Sequence, residues 1–185
     1  GGLLLANPHF PWEGELRLWE SHLTVPGELD IYGASLSGVP GVLIGFTEQF
    51  GWTHTVSAGN RLTAYRLPLV PDDPTAYLYD GEPTPMTSTE YRIEVLGDDG
   101  ELREETRTLW DSRYGPIVTL GPLGWDATFA YSLRDANLDN FEALDQFLAM
   151  NQADDFDAFK AAHAEINGIA WVNTIATSAD GRGWY

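Results

Sequence analysis

From Glu15 to Leu67 the chain reads as strand after strand, each apolar run bounded by Gly or Pro. The short Gly, Ser and Pro loops between them favour a sheet-based core over an alternation of parallel strands and helices. Leu16 and Leu18 alternate with Arg17, Trp19, Ser21, Leu23 and Val25 until Pro26-Gly27, and strands at residues 29–34, 42–46, 52–57 and 63–67 follow. A middle β region adds residues 76–79, the Asp80-Gly81 turn and a hairpin of 91–96 against 103–110 across Gly97-Asp98-Asp99-Gly100. In that hairpin Tyr91, Ile93 and Val95 are expected on a packed face, Arg92 and Glu94 on a wet one. Tyr114-Gly115-Pro116 and Gly121-Pro122 read as punctuation before a strand at 128–133.

Helical spacing appears only late. Phe141, Leu144, Phe147 and Leu148 recur up to Asn151 behind an Asp139/Glu142 capping box. Phe156 and Phe159 mark the inner face of a second helix from Asp154 or Asp155 to about His163. Residues 169–177 return to strand, and Asp180-Gly181 makes a hairpin turn. The expected class is α+β, rich in strands with two late helices, in a single partial domain over 1–185.

At the start, the apolar run of residues 1–6 reads as a buried strand whose upstream neighbour has been cut away. Asn7-Pro8 stops it, because proline lacks an N–H and forces the preceding residue into extended geometry. His9 and Phe10 then project from a strand end. His9 has two readings, a proton-handling side chain beside a nucleophile or a histidine satisfied by backbone groups.

With 185 residues and 43% hydrophobic content the chain can bury a core of ordinary size. Its 28 acidic against 10 basic residues give a net charge of −18, which leaves no excess of Lys and Arg to neutralise nucleic-acid phosphates or anionic membranes. The absence of cysteine excludes disulfides, thiolate zinc sites and a cysteine nucleophile within the segment. No histidine pair has zinc-binding spacing, and Asp98-Asp99 and Asp154-Asp155-Phe156-Asp157 lack the Gly and distal Glu of a calcium loop, so no metal is expected. Ser21, Ser35, Ser37 and Ser57 stand in neither Gly-x-Ser-x-Gly nor Ser-x-x-Lys.

Several motifs occur together and in order: Leu-Leu-Ala-Asn-Pro-His-Phe-Pro-Trp ending at Trp12, Gly-Ala-Ser-Leu-Ser-Gly-Val-Pro from Gly33, Gly-Phe-Thr from Gly45 and Gly-Trp-Thr-His-Thr-Val from Gly51. Leu133-Arg134-Asp135-Ala136-Asn137, Asn151-Gln152-Ala153 and Trp171-Val172-Asn173-Thr174 continue the series. Together they resemble the start of the β chain of the penicillin acylase family, in the branch of acyl-homoserine-lactone and aculeacin-type acylases. That resemblance implies part of the αββα sandwich of an N-terminal-nucleophile hydrolase, truncated at both ends. It implies amide hydrolysis of small N-acyl substrates through an acyl-enzyme, with penicillins as the runner-up. The nucleophile would be a serine about a dozen residues before Gly1, freed by self-cleavage from an α chain of the same precursor, and an oxyanion-binding Asn would lie beyond Tyr185. The segment alone is therefore expected to be inactive.

The resemblance also implies roles for residues present. His9 would sit close to the serine, and the backbone N–H of Val56 would hold the oxyanion; Val56 by itself reads equally as a core β-branched residue. Phe10, Thr55, Phe147, Trp171 and Val172 would lie at or near the acyl pocket, where the side chain at 147 affects the space available; each aromatic taken alone reads as core. Gly59-Asn60-Arg61-Leu62-Thr63 lacks the carboxylates that bind calcium in penicillin G acylases. No cofactor is implied, and the location would be periplasmic or secreted. The rival from another class is a non-catalytic β-rich module whose Trp19, Trp110 and Trp125 form one exposed plane for a carbohydrate or peptide.

Overall fold

Period-two alternation becomes two antiparallel sheets in the computed structural model, which describes residues 1–185. In chain order the first strands are β1 (Leu18–Val25), β2 (Leu29–Leu36), β3 (Ile44–Phe46) and β4 (Phe50–Val56). Next come β5 (Leu62–Val70), β6 (Asp73–Tyr79), β7 (Glu82–Pro85), β8 (Thr87–Leu96), β9 (Leu102–Ser112), β10 (Gly115–Val118) and β11 (Phe129–Asp135). Helices α1 (Ala143–Asn151) and α2 (Phe156–Ile166) precede β12 (Val172–Ser178) and β13 (Gly183–Trp184). Contacts divide these elements into two compact units, Gly1–Gly59 with Asp139–Tyr185, and Asn60–Leu138.

The first unit is a six-stranded sheet in the order β1-β2-β3-β4-β12-β13. Alternation along β4 sends Phe50 and Trp52 to the face that packs against Phe156 and Phe159 of α2; the Phe159 ring lies 4.9 Å from Phe50 and 5.4 Å from Trp52. Burial of each such ring contributes on the order of 2 to 3 kcal/mol. Gly33 and Gly45 face each other across β2 and β3, and a Cβ at Gly33 would come within 2.2 Å of the Ile44 carbonyl oxygen and 2.6 Å of the Val42 side chain. The missing side chains are what lets Val42 fill the core there, which gives two of the motif glycines a packing role.

Helix α2 begins as its sequence dictates. Asp155 accepts hydrogen bonds from the N–H groups of Asp157 and Ala158, and Asn167 closes the helix at φ 53°. Helix α1 differs from its sequence pattern. Glu142 is its N-cap with no side-chain cap bond, Phe141 is 82% exposed, and Leu144 and Leu148 also face outward. The inner face is instead Gln146, Phe147, Met150 and Asn151. Two of these are polar because each satisfies buried backbone. Asn151 accepts from Val42 N–H and donates to Val42 C=O, both at 2.8 Å, and Gln146 Oε1 accepts from the N–H groups of Gly168 and Ile169.

The opening segment also departs from expectation. Residues 1–6 form no strand; Gly2 N–H bonds Ser178 C=O at 3.3 Å, Leu4 is half-buried, and Leu3 is 100% exposed. Exposure alternates from Gly1 to Leu5, but the segment lies along the sheet without a ladder of its own, and His9 and Phe10 follow in an exposed stretch without regular structure.

The second unit is a seven-stranded sheet in the order β7-β6-β5-β11-β10-β9-β8 around Leu67, Leu69, Tyr77, Met86 and Ala130. Two of its strands, β7 and β10, were masked in the sequence by proline. Pro83 and Pro85 are tolerated because β7 is an edge, and Pro116 sits where β10 passes from pairing with β9 to pairing with β11. The β8–β9 hairpin has the expected turn, with Gly100 N–H bonding Gly97 C=O at 2.9 Å. Its apolar face is not packed: Tyr91 and Ile93 stand exposed opposite Arg107 and Glu105.

Candidate functional site

The chemistry-bearing groups of the first unit gather where β4 ends. The ladder between β3 and β4 covers only Gly45 with Trp52 and Phe46 with Gly51, whereas β12 accompanies β4 from Phe50 to Val56. Beyond Trp52 the strand is therefore held on one side. Ser57 N–H bonds Trp171 C=O at 3.0 Å, so in the alternating antiparallel pattern the amides of Thr53, Thr55 and Ser57 point to β12. The Val56 N–H points the other way, past the end of β3, and Val56 is 76% exposed. A fixed, unpaired backbone donor at a strand end can stabilise a developing oxyanion.

Behind this donor lies an apolar wall. Val172 is paired with Val56, and Trp171, Val172 and Phe147 belong to the same hydrophobic cluster. Phe147 meets the His54 ring edge-on, with centroids 5.8 Å apart. The structure thus brings together Val56, Phe147, Trp171 and Val172. It leaves His9 and Phe10 exposed and outside that cluster, and places Thr55 on the sheet face opposite to His54, where Asn173 Nδ2 donates to its Oγ1 at 3.1 Å.

A polar chain crosses the same wall. His54 Nδ1 lies 3.1 Å from Thr174 Oγ1, which lies 3.2 Å from His163 Nε2, while His163 Nδ1 lies 3.0 Å from Phe159 C=O. His54 Nε2 is buried without a hydrogen bond. Burial, and then the neighbouring His163, push the His54 imidazole down from 6.5 to about 4, against a partial opposing pull from the carbonyls of Leu43 and Asn173. Burial also lowers His163, less the upward pull of the Phe159 carbonyl. A cavity of about 260 Å³ opens on His163 and Thr174 between Gln146, Ile169, Val172 and Trp184. No local signal in the sequence links His54 to a threonine 120 residues away; only the β4–β12 register, which pairs His54 with Thr174, does so.

Other candidates resolve simply. Ser35 Oγ donates to Val39 C=O and Ser57 Oγ accepts from Gly59 N–H, and none of Ser21, Ser35, Ser37 and Ser57 bonds an imidazole. No group of three or more acidic or histidine side chains is placed to hold a metal ion. Trp110 and Trp125 are half-buried and meet edge to face at 83°, which is not the shared plane that a tryptophan binding platform requires.

Comparison with known proteins agrees with the motif series. The penicillin amidase family model matches residues 1–185. An acyl-homoserine lactone acylase, PvdQ, from Pseudomonas fluorescens Pf-5 is 50% identical over all of this chain, which covers 24% of that relative. Aculeacin-A acylase from Actinoplanes utahensis is 42% identical, again over the whole chain and 23% of its own length. The chain thus spans about a quarter of the curated relatives it matches. A thermostable penicillin G acylase from Alcaligenes faecalis superimposes with a TM-score of 0.71 over 93% of this chain and 30% of its own, at 20% identity, and shares the fold of this β-rich segment with its two helices. The chain belongs to the penicillin amidase family.

Proposed function

We propose that this chain is part of a serine N-terminal-nucleophile amidohydrolase that cleaves the amide of N-acyl substrates, acyl-homoserine lactones or acylated peptides, through an acyl-enzyme. The observation that carries the reading is the Val56 N–H, exposed and directed past the end of β3 beside the apolar cluster of Phe147, Trp171 and Val172. In the reaction a serine oxygen attacks the amide carbonyl, the Val56 N–H stabilises the oxyanion, the amine leaves with a proton, and water releases the acid. His9 supports the nucleophile, and Phe10, Thr55, Phe147, Trp171 and Val172 line the path of the acyl chain. The serine and an α chain come from the same self-processed precursor, in a periplasmic or secreted enzyme that needs no cofactor. Residues 1–185 alone are expected to be inactive, since no serine within them hydrogen-bonds an imidazole; the histidine bonds go to Asp30, Phe159 and Thr174.

Support for an N-acyl substrate with an apolar acyl group comes from the two relatives named as acylases, and from a wall of aromatic and branched side chains. The test is hydrolysis of a series of N-acyl-homoserine lactones, an acylated peptide and a penicillin by the full-length protein, with release of free amine as the readout. Turnover of the first two classes above the penicillin is expected. A folded, processed protein that hydrolyses none of them would remove the reading.

A further inference from the structure

The hydrogen-bond chain behind β4 has a fixed direction, and its atoms say which. Phe159 C=O can only accept, so His163 Nδ1 carries a proton and donates to it at 3.0 Å. In the neutral ring His163 Nε2 is then an acceptor, and the Thr174 hydroxyl, which has a single proton, donates to it at 3.2 Å. Thr174 Oγ1 must in turn accept from His54 Nδ1–H at 3.1 Å. That leaves His54 Nε2, the nitrogen buried without a hydrogen bond, as the unprotonated one. The chain runs one way from β4 through β12 to α2.

It also sits where the strand most needs support. Past Trp52 the end of β4 has lost β3 and keeps only the β12 ladder. The chain ties His54, two residues before Val56 and on the same sheet face, to helix α2.

We propose that Thr174 and His163 are positioning residues for the Val56 backbone donor, acting through His54 by a one-way chain, His54 Nδ1–H to Thr174 Oγ–H to His163 Nε2. This rests on the oxyanion role assigned to Val56. The titratable groups in this packing are His54, His163 and, at the mouth of the cavity beside His163, Tyr185. A proton arriving at His163 Nε2 would take the place of the one Thr174 donates, and the chain would lose its direction.

The experiment has two arms. In the chain itself, imidazole nitrogen NMR should find His54 and His163 both neutral at pH 7 and both in the Nδ1–H tautomer. Thr174→Val should speed amide hydrogen exchange at Thr53 and Thr55 by about tenfold, with Thr174→Ser restoring it. In the full-length enzyme Thr174→Val should lower kcat by about tenfold with KM within about twofold, less than the hundredfold loss of a whole oxyanion donor, and Thr174→Ser should recover the rate. His163→Gln, which keeps an acceptor at the ε position, should lie between the two. An Nε2–H tautomer at His54, or unchanged exchange and kcat in a folded Thr174→Val protein, overturns the proposal. Altered exchange in the chain together with a wild-type enzyme that cleaves no N-acyl amide overturns the oxyanion role and with it the positioning role, while leaving the hydrogen-bond chain as a structural tie.

Discussion

The two ends of β4 are built from the same seven residues of strand and behave as different materials. At its start Phe50 and Trp52 are flanked by β3 and β12 and buried under α2, with Trp52 1% exposed and its Nε1–H donating to Leu43 C=O at 2.8 Å. At its end Val56 has one neighbouring strand and a backbone donor without a ladder partner. The first end supplies stability and the second supplies an accessible dipole. A strand can do both because hydrogen bonding and burial are decided residue by residue along it, by where the neighbouring strand stops.

The strongest way to break this contrast is at the closed end. Trp52→Ala should cost about 3 to 5 kcal/mol by loss of buried area and creation of a cavity against Phe159, read from denaturant unfolding of the chain. A loss below about 1 kcal/mol would show that the closed end is not where stability resides.

Next in size is the acid response of the junction between the ends. His54 has a folded-state value near 4 against 6.5 unperturbed, so the folded state resists protonation that the unfolded state accepts. The stability its neutral form contributes is complete above about pH 6.5 and is lost as the pH falls through about 4, a loss of roughly 3 kcal/mol. His54→Phe should flatten the unfolding midpoint across that window, whereas an equally steep acid limb in the variant would assign it to other groups.

At the open end, Val56→Pro removes the proposed donor without removing a ladder bond, and Thr55 before it is already extended. Turnover of the full-length enzyme should fall about a hundredfold while the unfolding midpoint changes little. Full activity in the folded variant would exclude the oxyanion role. The smallest effect belongs to Val56→Ala, which keeps the N–H and truncates an exposed side chain. It should stay within about 0.5 kcal/mol of wild type in stability, and a larger loss would mean that the open end is buried in the working protein.

Much of this arrangement was legible in consecutive residues. The strands ending at Val25 and starting at Leu29, the Gly97–Gly100 turn and the second helix behind Asp155 follow from periodicity, from glycine and from a capping carboxylate, all of which act within a few residues. Motif order identified the family. The first helix is legible but its inner face is not, because Gln146 and Asn151 look like surface residues until the backbone groups of Gly168, Ile169 and Val42 are placed beside them. The opening apolar run reads as a strand, since a run of apolar residues does not say whether a hydrogen-bonding neighbour is present.

The sequence by itself determined most of the strands and both helices, where most of them turn, and to which family the chain belongs, because those properties reside in local spacing and in motifs. Only the tertiary structure decided that β3 stops short of Val56, that His54 meets Thr174 and Thr174 meets His163, and that Phe147 meets the His54 ring edge-on. Those facts depend on register between segments up to 120 residues apart, and register is set by how whole faces pack rather than by any residue's own preference.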